Sequence, residues 1–158
     1  MRRPGALVLM GVLLAAVTVA PAHASHDDNR CKAHPPGGHD PRARLQFSAT
    51  VKGQTAIARG KHFDYGKVRH LFIEVSWERF KLPARQRLEL YGPDGQLYQT
   101  FVRQLPSQPD AVVLTVPVAG TQIFESTLSG TWCAKIFLDD DLEPVAADDF
   151  ELRFSSGQ

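Results

Sequence analysis

Leu45, Phe47, Ala49 and Val51 alternate with polar residues, and Trp132, Ala134, Ile136 and Leu138 do the same late in the chain. Successive side chains of an extended backbone point to opposite sides, so alternation with a period of two marks a strand with one face in a core. The pattern recurs. His70 to Trp77 places Ile73, Val75 and Trp77 on one face, with Trp77 expected to be buried at the strand's end; Ala111 to Pro117 is rich in valine and free of charge. Arg87 to Tyr91 runs into Gly92-Pro93-Asp94-Gly95 and resumes from Gln96 to Arg103. Proline presets one turn residue and glycine permits a positive φ at another, which predicts a hairpin. Phe150, Leu152 and Phe154 form a last inward face, and Ala56 to Arg59 a weaker strand. Seven or eight antiparallel strands joined by turns, with no convincing helix beyond residue 24, predict an all-β sandwich.

The start of the chain has another texture. Met1-Arg2-Arg3 is cationic, Leu7 to Val19 is apolar but short for a membrane span, and Ala22-His23-Ala24 offers small residues at the positions a signal peptidase reads. The expectation is a signal peptide over 1–24, cut before Ser25, with Ala20-Pro21-Ala22 as a second site. No cysteine stands at the cut for lipidation, and no later stretch could span a bilayer. The protein is thus expected in the periplasm or outside the cell. Residues 25–43 form a polar strap with prolines and glycines, and 44–158 form the sandwich domain.

Cys31 and Cys133 are the only cysteines. In an oxidising compartment the pair predicts a disulfide, closing a loop of about 100 residues worth up to ~4.7 kcal/mol in the chain-entropy picture. Alternation adds a constraint. With Trp132 and Ile136 inward, Cys133, Lys135 and Phe137 face outward, so the bridge cannot cross between two sheets. The strap must instead traverse the outer face, pinned by Cys31 and partly covering Phe137.

Gly130-Thr131-Trp132-Cys133-Ala134-Lys135-Ile136-Phe137-Leu138-Asp139, followed by Phe150-Glu151-Leu152, resembles the closing hairpin of bacterial extracytoplasmic immunoglobulin-like domains. There a G-x-W strand ends at an L-D-G turn and returns through an F-x-L strand. Here Asp140 replaces the turn glycine and the connection is longer. The resemblance implies an immunoglobulin-like β-sandwich and an interaction role, and it brings no catalytic residues.

Three groupings bear on function. Lys61-His62-Phe63-Asp64-Tyr65-Gly66-Lys67 reads as a loop that sets two aromatic rings and a histidine between lysines. Phe63 and Tyr65 either offer a rim to a protein or sugar partner, with Lys61, His62 and Lys67 beside them, or cap one end of the core. His26, His34, His39 and Asp40, near Cys31, are the alternative: zinc or copper ligands on the strap. Otherwise no cofactor is expected. Asp139-Asp140-Asp141, with Glu143, Asp148 and Asp149 nearby, lacks the glycine of a calcium loop and reads as a solvated hairpin tip.

From Ser25 onward the chain carries 16 basic and 17 acidic residues, a net charge of −1, which argues against a nucleic-acid binder. The distribution is uneven: residues 42–103 hold 12 Lys/Arg against 5 Asp/Glu, and 104–158 hold 2 against 9. Such a chain presents a basic face to an anionic glycan or surface, docks head to tail with a second copy, or neutralises itself across neighbouring strands. No hydrolase, metalloprotease or phosphate-loop motif is present. The reading is a non-catalytic exported module that binds a protein or an anionic glycan by its surface, with an unrecognised hydrolase as the remaining alternative.

Overall fold

A computed structural model describes residues 31–33, 41–53, 57–80, 83–107, 109 and 111–154. It is an all-β sandwich. Nine strands among these residues form two sheets: β1 (Arg42–Val51), β2 (Ala58–Arg59), β3 (His62–Asp64), β4 (Val68–Glu78), β5 (Ala84–Tyr91), β6 (Leu97–Leu105), β7 (Val112–Pro117), β8 (Gly130–Leu138) and β9 (Ala146–Arg153). One sheet has the order β2-β1-β4-β7 and the other β3-β9-β8-β5-β6. Every pairing is antiparallel except β3 with β9, which is parallel.

The alternating residues do what their period demands. Leu45, Phe47 and Ala49 of β1, and Leu71, Ile73 and Val75 of β4, point into the space between the sheets. There they meet Leu88 and Leu90 of β5, Trp132, Ala134 and Ile136 of β8, and Phe150 and Leu152 of β9. Trp132 is 0% exposed. Its ring lies parallel to Phe150 with centroids 6.1 Å apart, and Tyr98 approaches its edge at 5.2 Å. Phe150 in turn meets Phe47 at 5.0 Å, so one aromatic chain links the two sheets. At the far end Trp77 Nε1 of β4 donates to Oε1 of the buried Gln86 of β5 at 2.9 Å, again joining the sheets.

Turn chemistry is as read. Gly95 has a φ of 78°, its N–H donates to the Gly92 carbonyl at 2.9 Å, and Asp94 Oδ1 accepts from the Gln96 N–H at 3.0 Å. At the acidic reversal Asp139 takes a φ of 48°, a conformation that aspartate tolerates better than most residues. Its carboxylate accepts the Arg85 N–H at 2.9 Å and its own N–H returns to the Arg85 carbonyl at 2.8 Å. The neighbouring Asp140 pairs with the Arg85 guanidinium. The aspartates therefore fasten the reversal to β5.

Some details differ from the sequence reading. Trp77 is half-buried rather than enclosed. Phe154 lies just past β9 and is 57% exposed, because strand pairing ends before it. A short helix, α1 (Gln122–Glu125), connects β7 to β8; four residues are too few to show a helical period. His62 to Asp64 forms a strand where a loop was expected.

Cys31 and Cys133 are bonded, with Cα atoms 5.5 Å apart. Cys133 and Phe137 point outward from β8 and are nonetheless buried. The Arg87 guanidinium lies 4.4 Å from the Phe137 ring centroid, and Lys32 and Ala33 of the strap line the same surface groove as Phe137. Replacing both cysteines with serine is expected to lower stability by about 2–5 kcal/mol, read as an earlier midpoint in guanidinium unfolding.

Candidate functional site

The 61–67 segment is built into the sandwich edge. In β3, His62, Phe63 and Asp64 register with Glu151, Leu152 and Arg153 of β9. The Glu151 N–H donates to the Lys61 carbonyl at 2.6 Å, and the Tyr65 N–H to the Arg153 carbonyl at 2.7 Å. This pairing turns both aromatics inward. Phe63 is 4% and Tyr65 2% exposed, so neither is a rim aromatic, and the partner-binding role considered for them is replaced by the core-capping one. Tyr65 Oη donates to the carbonyls of Ile123 and Phe124, at 2.6 and 2.7 Å, and its ring stacks on Phe124 at 5.6 Å. It fastens α1 to the sandwich, and its burial pushes the phenol pKa up.

The charged residues of the segment remain outside, each against an acid. Lys61 pairs with Asp148 and lies 3.7 Å from Asp149; the hydrogen bond to Asp148 holds its ammonium above the ordinary value. Lys67 Nζ is 2.8 Å from Asp64 Oδ2, and His62 Nδ1 is 3.6 Å from Glu151 Oε2. The basic first half and acidic second half of the chain thus neutralise across strands here. On the four-stranded sheet the strands carry four arginines against two glutamates, whereas those of the five-stranded sheet balance five cations with five acids.

The outer face of the four-stranded sheet holds the candidate site. Register places Gln46, Glu74 and Val113 in one cross-strand row and Ser48, Phe72 and Thr115 in the next. With Ile57, Arg59 and Gly60 along the β2 edge, and Lys61 and Asp148 closing one side, all of these row residues except Thr115 line a shallow groove of about 470 Å³. Ile57 is 56% and Val113 51% exposed, and Phe72 is half-buried. Exposed apolar side chains gathered in a concave strip and rimmed by charge are the usual composition of a recognition surface. Arg59 and Glu74 form no ion pair with a described residue, and each is available to a ligand.

The outer face of the five-stranded sheet is more self-contained. Arg87 pairs across with Phe137, Glu89 with Lys135, and Tyr91 with Cys133. Tyr91 Oη donates to Glu89 Oε2 at 2.5 Å, and Arg87 Nε lies 3.0 Å from Glu89 Oε1. The Lys135 ammonium sits 5.1 Å from the Tyr91 ring centroid. Burial, with the hydrogen bond to Glu89, pushes the Tyr91 phenol up to about 12. Each group here already has its partner, which suits a brace beside the disulfide.

The histidines and aspartate considered as zinc or copper ligands, His26, His34, His39 and Asp40, lie outside the described residues. Among the described residues no three His, Cys, Asp or Glu side chains gather as a metal site. His70 Nδ1 lies 3.4 Å from Thr50 Oγ1 on the sheet surface. No described helix is long and apolar enough to cross a membrane.

No protein-family model matches the chain and no curated protein matches it in sequence, which leaves its own geometry as the guide. Tyr65→Phe is expected to cost about 0.5–1.5 kcal/mol, since the phenol's hydrogen bonds to the Ile123 and Phe124 carbonyls are lost while those carbonyls keep the N–H groups of Leu128 and Thr127; thermal unfolding should shift while surface binding does not. Tyr91 gives a pH signature. The fold favours its neutral phenol, so the stability it contributes is complete below its ordinary value of 10 and is lost as pH rises toward about 12. Tyr91→Phe should flatten that alkaline decline in chemical-denaturation midpoints, and remove the highest step from a phenolate absorbance titration.

Proposed function

We propose that the protein is an exported, non-catalytic binding module of immunoglobulin-like architecture that recognises a protein or anionic glycan through the outer face of its four-stranded sheet. The groove between β2 and β7 is the observation that carries this reading. It combines Ile57, Phe72 and Val113, an apolar strip open to solvent, with an Arg59 unpaired to any described residue on its rim. An apolar strip stacks on a sugar face or an aliphatic side chain, while a guanidinium fixes a carboxylate or sulfate in a forked geometry. Arg42 and Arg44 of the same face extend the positive potential along β1, with Arg44 lying 3.3 Å from Glu78.

Export is supported by the cationic start, the apolar Leu7 to Val19 and the Cys31–Cys133 bond, since disulfides persist in oxidising compartments. Immunoglobulin-like architecture is supported by the two-layer sandwich and by the buried Trp132 on the first strand of the closing hairpin.

Retention on a sulfated polysaccharide matrix tests the surface. The oxidised protein should be retained at low ionic strength and released by salt, because exposed charges are screened within about 10 Å at 0.1 M. Arg59→Glu should release it at lower salt, and Val113→Asp, at a residue 51% exposed, should weaken it further while changing the unfolding free energy by no more than about 1 kcal/mol. Equal retention of the native and charge-reversed proteins would remove the groove from the reading.

A further inference from the structure

Each sheet of the sandwich has two edges, and three of the four are blunted. β2 is two residues long and contains Arg59; β3 is three residues long and contains His62 and Asp64, both beside opposite charges. β6 is longer but carries Arg103, and its register with β5 shifts near Leu90 and Tyr91. Short strands, edge charges and bulges are the devices that keep sheet edges from pairing with other chains. β7 has none of them over Val112-Val113-Leu114-Thr115-Val116, and its register with β4 is unbroken over six residues.

The free backbone groups of β7 can be identified. Val118 N–H donates to the Arg69 carbonyl at 2.9 Å, and the register continues through Val116 with Leu71, Leu114 with Ile73 and Val112 with Val75. Hydrogen-bonded pairs alternate in an antiparallel ladder. Val112, Leu114 and Val116 therefore direct their N–H and C=O groups to β4, and Val113 and Thr115 direct theirs away from the sheet. No described residue pairs with that side. Pro117, next in the series, has no N–H and ends the run of donors.

We propose that β7 is a self-association edge, pairing antiparallel with β7 of a second copy to join the two four-stranded sheets into one. The occupant must be extended, with a donor and an acceptor on alternate residues in a spacing that matches Val113 and Thr115, and β7 itself supplies that pattern, with no charged side chain to meet its own copy. A two-fold axis at Leu114 sets Val113 opposite Thr115 of the second copy and Thr115 opposite its Val113. All four free N–H groups and all four carbonyls are then paired. A register centred on Thr115 instead sets Val113 against Pro117, which cannot donate. The centred pairing also brings the two half-buried Leu114 side chains together at the fringe of each core. This inference is independent of the groove's partner.

Sedimentation velocity of the oxidised protein over a range of concentrations, paired with amide exchange, tests it. The expected result is a monomer–dimer equilibrium in which exchange at Val113 and Thr115 slows with concentration by roughly tenfold or more, while Val112, Leu114 and Val116 are protected at every concentration. Thr115→Lys and Thr115→Pro, which leave the bonds to β4 in place, should each raise the dimer dissociation constant by roughly tenfold or more. Arg59→Glu should leave it unchanged, which separates this edge from the groove. A monomer at all concentrations overturns the proposal, even if the edge accepts a foreign strand. A dimer that persists in both Thr115 variants, or protection that develops elsewhere, overturns it as well.

Discussion

Trp132 lies wholly buried between the sheets, and a buried indole N–H needs an acceptor, which the Leu128 carbonyl provides at 3.1 Å. Fixing that ring fixes the parity of β8, and the parity reaches both faces of the molecule. Inward, Ala134 and Ile136 follow it into the core, and Phe150 of β9 and Phe47 of β1 complete the aromatic chain to the other sheet. Outward, Cys133 is left where only a segment lying on the outer face can reach it, and Cys31 does so. Lys135 and Phe137, on the same side, form the cation and aromatic ladder with Tyr91 and Arg87. A polar or small residue at position 132 would loosen the core and the register that carries the disulfide together.

Charge plays a different part. The pairs Lys61–Asp148, Lys67–Asp64 and Arg44–Glu78 are at least partly exposed, and exposed ion pairs contribute about 0–1 kcal/mol each. They do not hold the fold. Lys61–Asp148 alone of the three joins the two halves, and it offsets the charge asymmetry of the sequence where Lys61 faces the acidic start of β9; the other two are pairs within the basic half. Arg59, at the β2 edge, stands apart from that cancellation among the described residues, and this gives the groove its chemical character.

The elements legible in the sequence are those whose physics is local. Alternation in β1, β4 and β8 exposes their buried faces, and Pro93-Asp94-Gly95 announces its turn, because a neighbour or two decides each outcome. The parity of Cys133 was readable for the same reason. Other features depend on partners far along the chain. Phe63 and Tyr65 look alike as rim or core residues until β3 pairs in parallel with β9, and the acceptors of Tyr65 lie 58 and 59 residues away. The groove was invisible in the sequence, since Phe72, Val113 and Ile57 converge only through cross-strand register. Lys61 was the one residue of the expected site that the register brought to the groove.

The groove and the β7 edge share a cause. Along an edge strand, side-chain direction and hydrogen-bond direction both alternate with period two. Residues that turn their backbone away from β4 therefore turn their side chains to the outer face, and Val113 and Thr115 do both. Val113 lines the groove with its side chain and faces the edge with its N–H. A partner packed on that side chain and a second copy bonded to that backbone act on one residue from two directions. Any influence of one on the other must be equal in both senses, as linkage requires of two binding equilibria. The ungated sequence of β7 is intelligible in that light. A lysine at 113 or 115 would guard the edge, but it would also place a charge in or beside the apolar strip, so the composition that suits the groove leaves the edge open.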